Sequence, residues 1–119
     1  MTVKECYERL QGDYADACRR LINEAILTRF VLKFPTDPSM QQLRDAVAAG
    51  DVETSFRSVH TLKGVAANLG FTQLYQAAWN LTEQLRPRQE TADPDFLEAL
   101  EKEYQLTLEV IGEFQSSIQ

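Results

Sequence analysis

The chain has 119 residues and a formal net charge of −6 at pH 7, with 44% hydrophobic and 25% charged residues. This length predicts one domain over residues 1–119 with a single core, and the acidic balance argues against a nucleic-acid surface, which needs a basic stripe. No apolar run approaches the roughly 20 residues of a membrane span, and the N-terminus lacks the pattern of a secretion signal, so we expect a cytoplasmic monomer.

The N-terminal part of the chain predicts two helices. Residues 2–11 form a short amphipathic helix, which Gly12 breaks, and Asp13 can cap the next helix. That second helix is expected over about residues 14–33, because its apolar residues cover the wide arc of a helix packed on several sides. These apolar residues are Cys18, Leu21, Ile22, Ala25, Ile26, Leu27, Phe30, Val31 and Phe34. The helix is stopped by Pro35 and Pro38.

Two further helices are predicted in the middle of the chain. The first is short and has Met40, Leu43 and Val47 on its apolar side, and the other covers about residues 52–69. The first of them is capped by Thr36 or Asp37 and ends at Gly50. The second is capped by Asp51 and ends at Gly70.

The C-terminal part predicts two more helices joined by a polar loop. Thr72 caps a helix that Pro87 closes, residues 87–95 form the loop, and a long final helix covers about residues 95–117. No stretch alternates with period two, so no sheet is expected. Short loops between long amphipathic helices predict an all-α, up-down antiparallel bundle.

The fourth predicted helix carries the only histidine, His60. At about 100° per residue, His60 falls on the rim of the apolar arc, beside Glu53, Arg57, Gly64 and Ala67, where a partner can reach it. A neutral imidazole is a nucleophile near pH 7 and can carry a covalent phosphoryl group. The core-facing residues of this helix are Val52, Phe56, Val59, Leu62, Ala66 and Leu69.

Two neighbours of His60 suit such chemistry. The ammonium of Lys63, three residues on, is within reach of an anion held on the ring. Gly64 is unusual, because glycine inside a helix costs about 1 kcal/mol relative to alanine. Its missing side chain clears space beside the imidazole for a partner or for a group bonded to the ring. Close helix–helix packing at Gly64 is the alternative explanation.

The run His60-Thr61-Leu62-Lys63-Gly64, followed by Asn68-Leu69-Gly70, closely resembles the motif of histidine phosphotransfer (HPt) domains, and the resemblance covers nearly the whole chain. It implies a four-helix bundle with extra short N-terminal helices. It also implies that His60 is the phosphorylated histidine, that Lys63 stabilises the phosphoryl group and that Gly64 makes room for the partner.

Domains of this family have no autonomous kinase activity and need no cofactor of their own. The resemblance implies that the chain accepts a phosphoryl group from the aspartate of one receiver domain and passes it to another receiver. These receivers belong to response regulators or hybrid histidine kinases, and they supply the Mg²⁺. Because the chain has one histidine and only two cysteines, Cys6 and Cys18, we expect neither a zinc site nor a disulfide.

Two positions depart from the family pattern. Many relatives carry glutamate or glutamine on the next helix beside the acceptor, where this chain has Thr82, followed by Glu83 and Gln84. The residue that orients the ring of His60 is therefore left open. The chain also resembles the phosphotransfer domain of chemotaxis histidine kinases, but Trp79 occupies the position of that subfamily's second histidine. We therefore favour a free-standing HPt protein over a kinase fragment.

A partner-docking surface is predicted around the histidine. Gly64 and Ala67 form its apolar centre, and Phe56, Arg57 and Asn68 surround them. Three residues of the first helix are candidates to extend this surface: Val3, Tyr7 and Leu10.

Two other functions remain as alternatives. A helical interaction module without phosphoryl chemistry is expected to bury His60 and hydrogen-bond it in the core. A hydrolase with His60 as general base is weak, because no serine or cysteine nucleophile shares its face. Glu53, about two turns away, is also a poor orienter of the ring.

Overall fold

The structure, a computed structural model, describes all 119 residues, Met1–Gln119. It contains seven α-helices, one short 3-10 helix and no strand, which confirms the predicted all-α fold. None of these helices combines the length and the apolar character needed to cross a membrane. In chain order they are α1 (Val3–Leu10), α2 (Tyr14–Arg20), α3 (Glu24–Lys33), the 3-10 helix (Phe34–Thr36), α4 (Ser39–Ala49), α5 (Val52–Asn68), α6 (Thr72–Leu85) and α7 (Pro94–Ser117).

Helices α4 to α7 form the up-down four-helix bundle that the sequence predicts. Each helix packs against the next one in the chain, and the short connections between them make these neighbours antiparallel. Arg44 of α4 also reaches α7, where it forms two hydrogen bonds of 2.8 Å with the Glu101 carboxylate and lies over the ring of Tyr104. The first and last helices of the bundle are thereby joined as well.

One cluster of 26 buried apolar residues fills the space between the helices, and every α-helix contributes to it. Within it, the rings of Tyr7, Phe71, Phe34 and Tyr104 follow one another with centroid separations of 5.4 to 5.9 Å. Aromatic pairs at such distances contribute about 0.5–1.5 kcal/mol beyond their buried area. This row of rings joins α1, the 3-10 helix, the α5–α6 turn and α7.

The segment from α1 to α2 is fastened to the turn between α5 and α6. The Tyr7 hydroxyl donates to the Leu69 carbonyl at 2.6 Å, and the Asp13 N–H donates to the Gly70 carbonyl at 2.8 Å. Gly70 has φ +67°, as its predicted position after the helix requires, and a Cβ added there would lie 2.6 Å from the Asp13 carbonyl oxygen. Only glycine fits both the backbone angle and the contact.

Replacing Gly70 by alanine is expected to lower the free energy of unfolding by about 2–5 kcal/mol, measured by urea denaturation. A Cβ in the left-handed region costs about 1–2 kcal/mol, and the overlap with Asp13 adds about 1–3 kcal/mol. Gly50→Ala is the matched control, because Gly50 has φ +70° but an added Cβ meets nothing within 4 Å. Equal losses in the two variants would contradict the close-contact explanation.

The predicted second helix is wrong in its middle, because the chain breaks between α2 and α3. The Asn23 side chain accepts a hydrogen bond from the N–H of Ile26 at 2.9 Å and so caps a separate helix. Ile22, just before this cap, has φ +77° and is 80% exposed. Phe30, which the sequence placed on the apolar arc, is also exposed, at 49%.

The predicted caps of α4 and α6 need correction. Pro38 occupies the N-cap position of α4, and Asp37 instead accepts a hydrogen bond from the Ser39 N–H at 2.9 Å. Thr36 belongs to the 3-10 helix. Thr72 is the first residue of α6 and not its cap, and α6 has no side-chain cap. Helix α7 begins at Pro94, one residue before the predicted start.

The apolar side of α1 is buried. Val3, Tyr7 and Leu10 are all less than a tenth exposed, and α1 packs against α7. These three residues therefore cannot extend a docking surface, contrary to the sequence-based suggestion.

Both cysteines are free thiols, and burial raises the pKa of Cys6 to about 11.

Candidate functional site

Helix α5 holds His60 near its centre, and contacts at both ends fix the helix. The Asp51 carboxylate accepts hydrogen bonds from the N–H of Thr54 at 3.0 Å and from its hydroxyl at 2.7 Å. These contacts lower the pKa of Asp51. At the other end, the α5–α6 turn carries the contacts of Gly70. Because α4 and α6 pack against α5, the backbone positions from which its exposed side chains project are fixed.

The exposed stripe of α5 contains the residues that helical periodicity placed together. His60, Gly64 and Asn68 are exposed at successive four-residue steps, and Ala67 beside them is half-buried. We call these four residues the histidine face. Arg57 is exposed one turn before His60. The face is therefore accessible to a partner without any rearrangement of the bundle.

The imidazole of His60 has no hydrogen-bond partner in the protein, although the ring is not free of contacts. It stacks on the ring of Phe56, one turn earlier, with centroids 5.7 Å apart and planes at 29°. This environment differs from the buried, hydrogen-bonded histidine expected of an interaction module without phosphoryl chemistry. His60 is exposed, so a reacting group can approach the ring.

Lys63 is half-buried and forms no ion pair. Its charge acts on Glu83 of α6, whose pKa is lowered chiefly by hydrogen bonds from Arg86 and further by the charges of Arg86 and Lys63. Because Arg86 binds Glu83 at 2.8 to 3.2 Å, the Lys63 ammonium is available to another anion.

Gly64 adjoins open space. A Cβ added at this position meets nothing within 4 Å, so close helix–helix packing does not explain the glycine, and that alternative is wrong. The fold does not need glycine here, and the helix gives up about 1 kcal/mol by having it.

The α6 residues opposite α5 do not orient the imidazole. Thr82 is fully buried and donates its hydroxyl hydrogen to the Ala78 carbonyl at 2.7 Å. Gln84 instead holds the loop before α7, where it accepts from the Asp93 N–H at 2.9 Å and donates to the Thr91 carbonyl at 3.0 Å. Neither of these side chains therefore makes a hydrogen bond to His60.

A family model described as the Hpt domain matches residues 25–109. This chain belongs to the Hpt domain family. A comparison with curated proteins and another with solved structures each found no match. Family membership gives histidine phosphotransfer in two-component signalling as the general function, with receiver domains as the general class of partner.

Two arginines of this HPt domain were missed by sequence reasoning. Arg86 and Arg88 follow α6, and their guanidinium carbons lie 5.4 and 3.7 Å from the centroid of the Phe56 ring. Phe56 is only 7% exposed, so it supports the histidine face and offers little area to a partner. The prediction of Phe56 as a docking contact is corrected accordingly. Nothing in the polar composition of this loop indicated that its arginines would contact Phe56 on α5.

Glu53 is engaged by two arginines, Arg88 and Arg57. Its carboxylate accepts a hydrogen bond from Arg88 Nε at 3.0 Å and lies 3.6 Å from Arg57 Nε. It makes no hydrogen bond to His60 and therefore cannot act as the orienter of a general base. The hydrolase alternative thus lacks its required third group in this HPt domain.

Proposed function

We propose that this chain is a phosphorelay HPt protein, one domain over residues 1–119, in which His60 carries the phosphoryl group. It would accept that group from the aspartate of one receiver domain and pass it to the aspartate of another. The observation that carries the proposal is an exposed imidazole without a hydrogen-bond partner, next to Lys63 and the open space at Gly64.

The chemistry needs no further catalytic group on this chain. The unprotonated ring nitrogen attacks the phosphorus of the receiver's aspartyl phosphate, the N–P bond forms, and the P–O bond to the aspartyl carboxylate breaks. The electron pair of that bond remains on the carboxylate, and the other ring nitrogen keeps its proton. No base has to remove a proton before the attack, and the reverse reaction with a second aspartate completes the relay.

We assign Lys63 the role of neutralising the negative charge of the transferred phosphoryl group. Its ammonium has no carboxylate partner, so it can pair with phosphoryl oxygens while the group is on the ring. Mg²⁺ bound in the acidic pocket of the receiver supplies the remaining neutralisation. Most of the rate enhancement then comes from positioning the two proteins.

The histidine face is the proposed docking centre, and Arg57 lies at its rim. Past Asn68 the surface continues into an apolar groove between the 3-10 helix and α5, which is lined by the exposed ring of Phe30 and by Val65. An apolar centre with a polar rim is typical of transient protein interfaces. The bulk of a receiver can approach because Gly64 contributes no side chain.

The resemblance favours a relay HPt domain over the phosphotransfer domain of a chemotaxis kinase. Trp79, 41% exposed on α6, occupies the position where the chemotaxis subfamily has a second histidine. We expect a cytoplasmic monomer without autonomous kinase activity. A relay role requires reversible transfer, which an exposed imidazole without a hydrogen-bond partner can provide.

A transfer assay with the wild-type protein tests this function. The protein is mixed with a receiver domain that has been phosphorylated with a radioactive small-molecule phosphodonor in the presence of Mg²⁺. We expect label to move to this chain in an acid-labile, alkali-stable form that mass spectrometry maps to His60. A second, unlabelled receiver should then remove it. Label that stays on the receiver, or labelling from ATP alone, would contradict the proposal.

A further inference from the structure

The imidazole of His60 needs a fixed plane for in-line attack, yet no hydrogen bond supplies it. On the neighbouring helix α6, the hydroxyl of Thr82 is used inside the helix and does not reach the ring. An exposed imidazole held by nothing rotates freely about its last torsion, which has broad minima. Something else must restrict the ring if transfer is to benefit from orientation.

The stacking partner of the imidazole is rigid. Phe56 is 7% exposed, belongs to the hydrophobic core cluster and lies one helical turn before His60. The two rings are 29° from parallel with centroids 5.7 Å apart, within the range of offset-stacked pairs. The plane of the buried ring is therefore transmitted to the exposed one.

Arg88 fixes Phe56 from the loop. Its guanidinium carbon lies 3.7 Å from the ring centroid, its Nε donates to Glu53 Oε2 at 3.0 Å, and its Nη1 donates to the Arg86 carbonyl at 2.9 Å. Arg88 has φ +55°, a conformation uncommon for a residue with a Cβ. The loop thus adopts a strained angle at the residue that delivers a planar cation to this ring.

We propose that Arg88 is a positioning residue for His60, which acts through Phe56 to set the plane of the imidazole. The inference rests on the proposed function of His60, but its structural part can be tested without any phosphoryl transfer. The pair Arg88–Phe56 takes the place of the hydrogen-bond partner that the imidazole lacks. It also gives Phe56 a role other than contact with the receiver.

The structural test uses the ring-proton resonances of His60, which are unambiguous because the protein has one histidine. We expect Phe56→Leu to remove the ring-current shift of these resonances, and Arg88→Gln to move them part of the way. Arg88→Lys should behave like Arg88→Gln, because an ammonium lacks the planar stacking surface. Unchanged resonances in Arg88→Gln, or full restoration by Arg88→Lys, would overturn the proposal.

The kinetic test measures transfer from a phosphorylated receiver. Arg88→Gln should lower the maximal rate about two- to fivefold, the equivalent of an exposed cation–π contact, and leave the half-saturating receiver concentration unchanged. Arg19→Gln, which removes an exposed arginine of α2, is the charge-matched control and should match the wild type in both tests. A change only in half-saturation would assign Arg88 to docking and overturn the proposal. If His60 is never phosphorylated but the resonances respond as expected, only the proposed function fails.

Discussion

His60→Gln is expected to reduce phosphoryl labelling of this chain to the background of the receiver alone. Glutamine retains polarity and approximate size but has no nucleophilic nitrogen, and the chain contains no second histidine to substitute. The measurement is the transfer of radioactive phosphate from a labelled receiver domain, followed over time in wild-type and variant proteins. The loss should be complete, because the covalent intermediate itself cannot form.

The fold should survive this substitution. His60 is exposed and makes no hydrogen bond, and surface replacements of that kind usually change the free energy of unfolding by less than about 0.5 kcal/mol. Urea denaturation of the variant serves as the control. Equal labelling of the two proteins would show that another group accepts the phosphoryl group, and the assignment of His60 would have to be abandoned.

Gly64→Glu is expected to slow transfer at least about 100-fold, the penalty of displacing reacting groups by an ångström or so. The new side chain would occupy the open space beside the imidazole, and its negative charge would repel both the acidic pocket and the phosphoryl group. Glutamate is also a better helix former than glycine. The variant should therefore unfold at the same or a higher urea concentration than the wild type, even though it transfers poorly.

Helix α7 offers a matched control at Gly112. It too is exposed within a helix, and an added Cβ meets nothing within 4 Å, so Gly112→Glu introduces the same side chain away from the histidine face. It should transfer at the wild-type rate. Gly64→Ala should give a smaller loss of transfer with a gain of about 1 kcal/mol in stability. Undiminished transfer by Gly64→Glu would refute the role of the open space.

Local signals in the sequence were sufficient to predict the helix that carries the site. Asp51 caps its start through Thr54, Gly70 ends it with a left-handed φ of +67°, and the 3.6-residue period places His60 on its exposed side. The same local reasoning failed between α2 and α3. Asn23 carried a capping signal, but the apolar pattern runs continuously across it and favoured one long helix.

The surroundings of the imidazole could not be predicted because they depend on contacts distant in sequence. Arg88 reaches Phe56 only through the conformation of the loop after α6, and a polar loop has no periodicity from which to read it. Whether the hydroxyl of Thr82 points to His60 or into α6 depends on packing, and in the structure it bonds the Ala78 carbonyl. Phe30 shows a different error: the helical pattern placed its apolar side chain on the buried arc, but the structure exposes it.

The fastening of the N-terminal segment to the α5–α6 turn affects how this unit can be transplanted into other signalling proteins. Similarity to the family spans residues 25–109, yet Tyr7 before that span and Phe114 after it are both interior side chains. An excision at the borders of similarity would leave the Leu69 carbonyl without its donor and uncover the ring of Phe71. The transferable unit is thus longer at both ends than the part its relatives have in common.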